Sequence, residues 1–156
     1  MKRTGTQLET MALAGTLSAA SKEDWGKKEW KEHEVVRDMI VQTLSENEVD
    51  EIWITFPDPR LRDRDEKRRL TFHTFLNRYK RILKPGGVLH LKTDSLPFFE
   101  FSEGSLAEND WKIIAKTNDL YTSEWMDDHY GIKTRFEEMF YEKGFNINYL
   151  RATNTK

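Results

Sequence analysis

The sequence predicts an α/β fold on three observations. Uncharged, strand-like runs alternate with helical repeats, proline or glycine marks most junctions, and the 156-residue length is that of one domain. A chain this long buries roughly 70% of the surface its unfolded form exposes, which is enough for a real core. Residues 1–34 carry the weakest pattern. Residues 7–20 fit a helix through Leu8, Met11, Ala12 and Leu17, and residues 21–34 (SKEDWGKKEWKEHE) read as loop or frayed helix. Residues 35–44 repeat Val36, Met39, Ile40 and Leu44 at helical spacing, although HEVV also fits the end of a strand.

From residue 49 the pattern sharpens. VDEIWITF ends in uncharged, mostly β-branched or aromatic residues before Pro57, the signature of a strand buried on both faces in a parallel sheet. The polar loop PDPRLRDRDEKRR follows. Leu70, Phe72, Phe75, Leu76, Tyr79, Ile82 and Leu83 then recur at helical spacing, and Pro85-Gly86-Gly87 stops that helix. VLHLKTD is a second buried strand, residues 96–106 a helix, and WKIIAKTN a third strand. Residues 122–143 contain a helix ending TRFEEMFYEKG, with Gly144 as its stop. FNINYLRAT is an alternating strand with Phe145, Ile147, Tyr149 and Arg151 on one side. The sheet is expected to be mostly parallel, with the last two strands pairing as an antiparallel edge.

Composition removes several classes. There is no cysteine, which excludes disulfides, thiol catalysis and cysteine-based zinc sites. His33, His73, His90 and His129 are scattered without ligand spacing, so no metal is expected. No apolar run approaches ~18 residues, and the polar-broken start makes a poor secretory signal. A cytoplasmic protein without a membrane partner is the expectation. The net charge of -2 conceals an uneven distribution. Between Asp58 and Lys92, eleven Lys/Arg stand against four Asp/Glu, and the remainder of the chain is acidic. A basic block in an acidic chain is either a solvated face or a polyanion site.

Open α/β sheets bind ligands beyond the carboxyl ends of their strands. Asp58 follows the first buried strand and Asp94 the second. Flanking prolines hold the Asp58 backbone in a narrow geometry, and Pro-Asp-Pro is also turn chemistry in its own right. Asp94 reads either as a site carboxylate or as the N-cap of the next helix. Arg60, Arg62, Arg64, Lys67, Arg68 and Arg69 crowd the loop after Asp58, and guanidinium forks suit phosphate, although Asp63, Asp65 and Glu66 are placed to pair with them. Thr134 and Glu137 share a helix face across Arg135 and Phe136, either as a site or as a capping box.

WITFPDPRLRDRDEKRRL, then LHLKTD, then TRFE resemble the tRNA (guanine-N7-)-methyltransferases, in order, from residue 49 to residue 150. The resemblance implies methyl transfer from S-adenosyl-L-methionine to guanine N7 in the tRNA variable loop. It implies Asp58 as the catalytic and cofactor-facing aspartate. It implies Arg62, Arg64, Lys67, Arg68, Arg69, Asp94, Thr134, Arg135, Phe136 and Glu137 as the tRNA-binding set. Arg60 stands where many members carry tryptophan or another bulky residue. The implied fold is a class I, Rossmann-like methyltransferase sheet. The family's glycine-rich cofactor turn is not found, since Gly5, Gly15 and Gly26 each stand alone before residue 49. Residues 1–48 are therefore expected to be a divergent or truncated segment, and residues 49–156 the substrate-side part lacking the N-terminal cofactor-binding strands. Cofactor binding by this chain alone is then doubtful. A non-catalytic tRNA-binding module or inactive fragment is the alternative. In the family's strand order, residues 51–56 would lie beside the missing strand, so self-association or a partner segment is expected along that edge.

Overall fold

The computed structural model describes residues 43–126 and 135–155. The expected helices at 7–20 and most of 35–44, the charged stretch at 21–34, and Thr134 lie outside them. The described elements run β1 (Val49–Thr55), a 3-10 helix (Asp63–Arg68), α1 (His73–Ile82), β2 (Leu83–Thr93), α2 (Leu96–Glu108), β3 (Trp111–Thr117), a 3-10 turn (Leu120–Thr122), α3 (Arg135–Glu142) and β4 (Asn148–Asn154).

The four strands form one mixed sheet in the order β1-β2-β4-β3. β1 pairs β2 in parallel, and β4 runs antiparallel to both β2 and β3. The antiparallel pair expected of the last two strands is present. However, the antiparallel strand is inserted between β2 and β3 instead of lying at the margin. That margin belongs to β3, which runs parallel to β1 and β2.

Each sheet face has its own chemistry because strand side chains alternate. Ile52, Ile54, Leu89, Leu91, Leu150 and Ala152 share one face and belong to the main core. α1 and α2 supply the cover. α1 buries Phe75, Leu76, Tyr79 and Ile82, a helical stripe. α2 starts at Ser95, whose hydroxyl accepts the Phe98 N–H at 3.3 Å, with Pro97 in the first turn. Its Ser102 and Ser105 hydroxyls approach the turn before α1, bonding the Thr71 hydroxyl (2.7 Å) and carbonyl (2.6 Å).

The other face carries Trp53, His90 and Arg151 in one cross-strand row and Thr55, Lys92 and Tyr149 in the next. Trp53 and Glu51 are only half-buried among the described residues. β1 is therefore fully covered on its Ile52–Ile54 face, not on both faces as expected. Its outer edge pairs with nothing among the described residues, where β2 is its sole partner.

Two further local expectations change. α1 ends at Ile82 and passes straight into β2, so Pro85-Gly86-Gly87 lies inside a strand and does not stop the helix. It builds the irregularity that lets Val49 face Leu83 while Glu51 faces Val88. Gly86 has φ +76, and a Cβ on Gly87 would stand 2.8 Å from the Lys84 carbonyl oxygen. Phe145 precedes β4, is exposed, and meets Phe140 edge-on instead of joining the Tyr149 face.

His90 is the buried titratable group of the second face. It stacks on Trp53 at 3.8 Å between centroids, and its Nδ1 lies 2.8 Å from the Tyr149 hydroxyl. Burial, then the charges of Arg151 and Lys92, push its pKa down to about 3. The folded protein holds this imidazole neutral, whereas the unfolded chain protonates it near pH 6.5. The unfolded state thus binds more protons between those values, and stability falls as pH drops through that window. Urea titrations between pH 6.5 and 4.5 are expected to lose stability with a contribution approaching about 1.4 kcal/mol per pH unit from this residue. The slope should flatten by that amount in His90→Asn.

Candidate nucleic-acid interface

The chain leaves β1 under strain. Phe56, a bulky residue, adopts φ 50, in the left-handed region that such side chains avoid. Its N–H donates to the Lys92 carbonyl at 2.8 Å, which fixes the exit direction against the end of β2. Pro57 and Pro59 then bracket Asp58. The Asp58 carboxylate accepts the Arg60 N–H at 3.1 Å, an Asx turn, and lies 3.8 Å from the Arg60 guanidinium, while its side chain stays 53% exposed. Turn and presented carboxylate are therefore the same object.

The basic loop divides by position. Arg62, Arg64, Lys67 and Arg68 are exposed. Asp65 pairs with Arg68 at 3.2 Å and with Arg64 at 3.9 Å, so part of the cluster is internally neutralised. Arg62 and Lys67 have no partner among the described residues. Arg69 differs from all four. It is buried, donates from Nε to the Arg60 carbonyl at 3.0 Å, and lies 4.5 Å above the Phe101 ring. Its guanidinium closes the loop by joining its two ends. Tyr79 adds a second tie, donating to the Leu70 carbonyl at 2.8 Å.

Asp94 follows β2. It does not cap α2, because Ser95 does. It lines a cleft of about 490 Å³ with Leu96, Lys116, Asn118, Phe145 and Asn146. Leu96 and Phe145 are among the few large apolar side chains exposed at the surface. Glu100 and Glu103 also line it, so the cleft is mostly polar and acidic with a few apolar side chains, and its volume is in the usual range for a small ligand.

Glu137 faces the interior from the first turn of α3. It is fully buried, and Lys92 donates to its Oε2 at 2.6 Å. Tyr121 donates to its Oε1 at 2.5 Å. Burial, and then this bond to the carboxylate, push the Tyr121 hydroxyl pKa far up, so it stays protonated. Arg135, two residues before Glu137, is exposed. Phe136 lies in α3 beside it. Thr134, the fourth member of the motif, lies outside the described residues. Sequence reasoning missed Lys92 and Tyr121. Lys92 was legible only as an odd charge in a buried strand.

Among the described residues, no three His, Asp or Glu side chains gather to hold a metal ion. No described helix is long and apolar enough to cross a membrane.

A family model described as "Putative methyltransferase" matches residues 30–150, reaching upstream of the motif resemblance that begins at residue 49. A tRNA (guanine-N(7)-)-methyltransferase of Mesomycoplasma hyopneumoniae (strain 7448) is 50% identical over 101 residues, 65% of this chain and 49% of that protein. Proteins of the same name from Mycoplasma mobile and Bacteroides thetaiotaomicron are 45% and 38% identical over 70% and 73% of this chain, and 54% and 44% of their own lengths. The chain thus spans about half the length of the curated relatives it matches. A geranyl diphosphate C-methyltransferase from Streptomyces coelicolor A3(2) superposes at a TM-score of 0.40 with 16% identity, covering 90% of this chain and 63% of that one.

Arg69→Gln is expected to release the loop ends. Limited trypsin digestion should cut after Arg62, Arg64, Lys67 and Arg68 several-fold faster than in the wild type. Global stability should fall by about 1–2 kcal/mol, the value of one charged hydrogen bond with its aromatic contact.

Proposed function

The chain belongs to this methyltransferase family, and on that premise we propose that it is the substrate-side part of a tRNA (guanine-N7-)-methyltransferase. The observation that carries the reading is that two carboxylates follow neighbouring strands and a basic loop leaves one of them. Asp58 and Asp94 stand at the carboxyl ends of adjacent parallel strands, and exposed Arg62, Arg64, Lys67 and Arg68 leave from Asp58. Phosphates would be held by the loop, whose planar guanidiniums match them. A guanine presents donors at N1 and N2, which the Asp94 carboxylate accepts in the cleft where Phe145 offers a stacking face. The nucleotide must leave its stack to enter. Residues 1–48 are then the divergent segment and residues 49–156 the substrate side of the domain.

Guanine N7 is a lone pair without a proton, so reaction there needs no strong base. It needs placement, and a negative group beside the purine as positive charge grows on it. Asp58, held by its turn and by Phe56, supplies that group without reorganising.

S-adenosyl-L-methionine is the cofactor implied by the family. The described residues do not fit it on their own. Their glycines are Gly86 and Gly87 inside β2, Gly104 within α2, and Gly144 after α3, and none makes a turn at a strand's carboxyl end. The proposal therefore assigns to them the Asp58 carboxylate and the tRNA side alone, with cofactor binding left to residues outside them.

Binding of tRNA to the purified chain, followed against salt, tests the assignment. With four exposed cations on phosphate, the logarithm of the affinity should fall against the logarithm of salt with a slope of about 3. A salt-independent affinity, or none, would defeat the reading. In a chain with the cofactor-binding half restored, Asp58→Asn is expected to leave tRNA affinity within about twofold and to lower single-turnover methyl transfer about 100-fold or more. Equal losses in both assays would reduce Asp58 to its turn.

A further inference from the structure

Three segments of the candidate site converge on Lys92, a residue of the LHLKTD stretch that the sequence reading gave no role. Its carbonyl accepts the Phe56 N–H, setting the exit toward Asp58. Asp94 is two residues downstream on the same strand. Its ammonium holds Glu137, carrying α3 and therefore Arg135. Its stem runs along the polar face, with the ammonium 5.9 Å from the Trp53 ring centroid.

The energetics say why this pair is informative. Both side chains are out of water, at 2% and 0% exposure. Removing an ammonium and a carboxylate from water is expensive, and their attraction only about repays it. A methionine and a second apolar residue would fill the same space with comparable stability. What apolar contact would lack is direction. The 2.6 Å bond, with Tyr121 on the second oxygen, admits one placement of α3 against the end of β2.

We propose that Lys92 is a positioning residue: through Glu137 and Tyr121 it fixes α3 relative to Asp94 and so sets the geometry of the tRNA site. Glu137 then acts as the receiver of this clamp and not as a reader of the base. The tRNA part of the inference rests on the function proposed above; the placement of α3 does not.

The test separates position from stability in the full purified chain. Lys92→Met alone leaves the Glu137 carboxyl buried without its ammonium, and its melting temperature should fall sharply. Lys92→Met/Glu137→Met replaces both charges and should recover a melting temperature within a few degrees of wild type. In that double variant, amide hydrogen exchange across Arg135–Glu142 is expected to quicken about tenfold or more, while β2 and β4 amides keep wild-type rates. Affinity for tRNA should fall about tenfold despite the recovered fold. Wild-type exchange in α3 of the double variant would overturn the proposal. So would faster exchange combined with unchanged tRNA affinity. Should the double variant fail to fold, Glu137→Gln gives the same reading. It keeps an acceptor and a similar shape but leaves the ammonium without its carboxylate, so exchange that quickens in α3 more than in β2 and β4 supports the clamp, and exchange unchanged or raised equally in all three overturns it. A wild-type chain that does not bind tRNA would defeat the function proposed above, and the exchange measurement would still decide the placement of α3.

Discussion

Lys92 and Glu137 meet at 2.6 Å with neither exposed to solvent, from positions 45 residues apart in the sequence. Neither charge is tolerable in the interior without the other. Much of the second sheet face follows from that constraint. Burial first, and then the Arg151 guanidinium and the Lys92 ammonium, disfavour a further positive charge in the layer, so His90 is neutral and stacks flat on Trp53. Burial, and then the carboxylate in the first turn of α3, keep the proton on Tyr121, which donates it to Glu137. The Lys92, Glu137 and Tyr121 groups of the layer are hydrogen-bonded to one another, whereas His90 Nε2 and Arg151 Nε are buried without a hydrogen bond among the described residues. The opposite face needs no ion pair, because aliphatic strands meet the amphipathic α1 and the largely apolar α2 there.

The loop after β1 shows how residues of one type divide by location. Arg69 spends its guanidinium on a carbonyl and a phenyl ring, and Arg68 is held by Asp65. Arg62 and Lys67 stand in solvent. A count of positive charge treats these residues alike. Only those on the outside contribute to the field that a polyanion meets. The buried arginine contributes instead by giving the loop a defined shape, as the strained Phe56 does at its start.

Legibility in the sequence followed the range of the interactions. β1, α1, α2 and β3 were readable because their patterns are local: uncharged runs for the strands, helical repeats for the helices. The Asx turn at Asp58 was readable because two prolines enforce it. Pro85-Gly86-Gly87 misled, since a helix stop and a strand bulge ask for the same residues. Ser95 displaced Asp94 as the cap by one position, which no pattern distinguishes. Glu137 was placed on the correct helix, but its burial against Lys92 and Tyr121 was not foreseen. Spacing reports which face a side chain occupies, and only the partner on a distant strand reports whether that face meets water. The insertion of β4 between β2 and β3 was invisible for the same reason.

That insertion has a consequence for synthesis on the ribosome. β2 and β3 emerge well before the strand that joins them, and the β2–β4 boundary is tied by the Asn148 amide donating to the Thr93 carbonyl across 55 residues. Until β4 arrives, the ladder edges of β2 and β3 stand open, and apolar Leu89 and Leu91 lie beside one of them. Such long-range pairing closes slowly and leaves strand edges available to other nascent chains. The sheet's middle is thus its last part to form, and the interval before β4 is released is when a chaperone has most to shield.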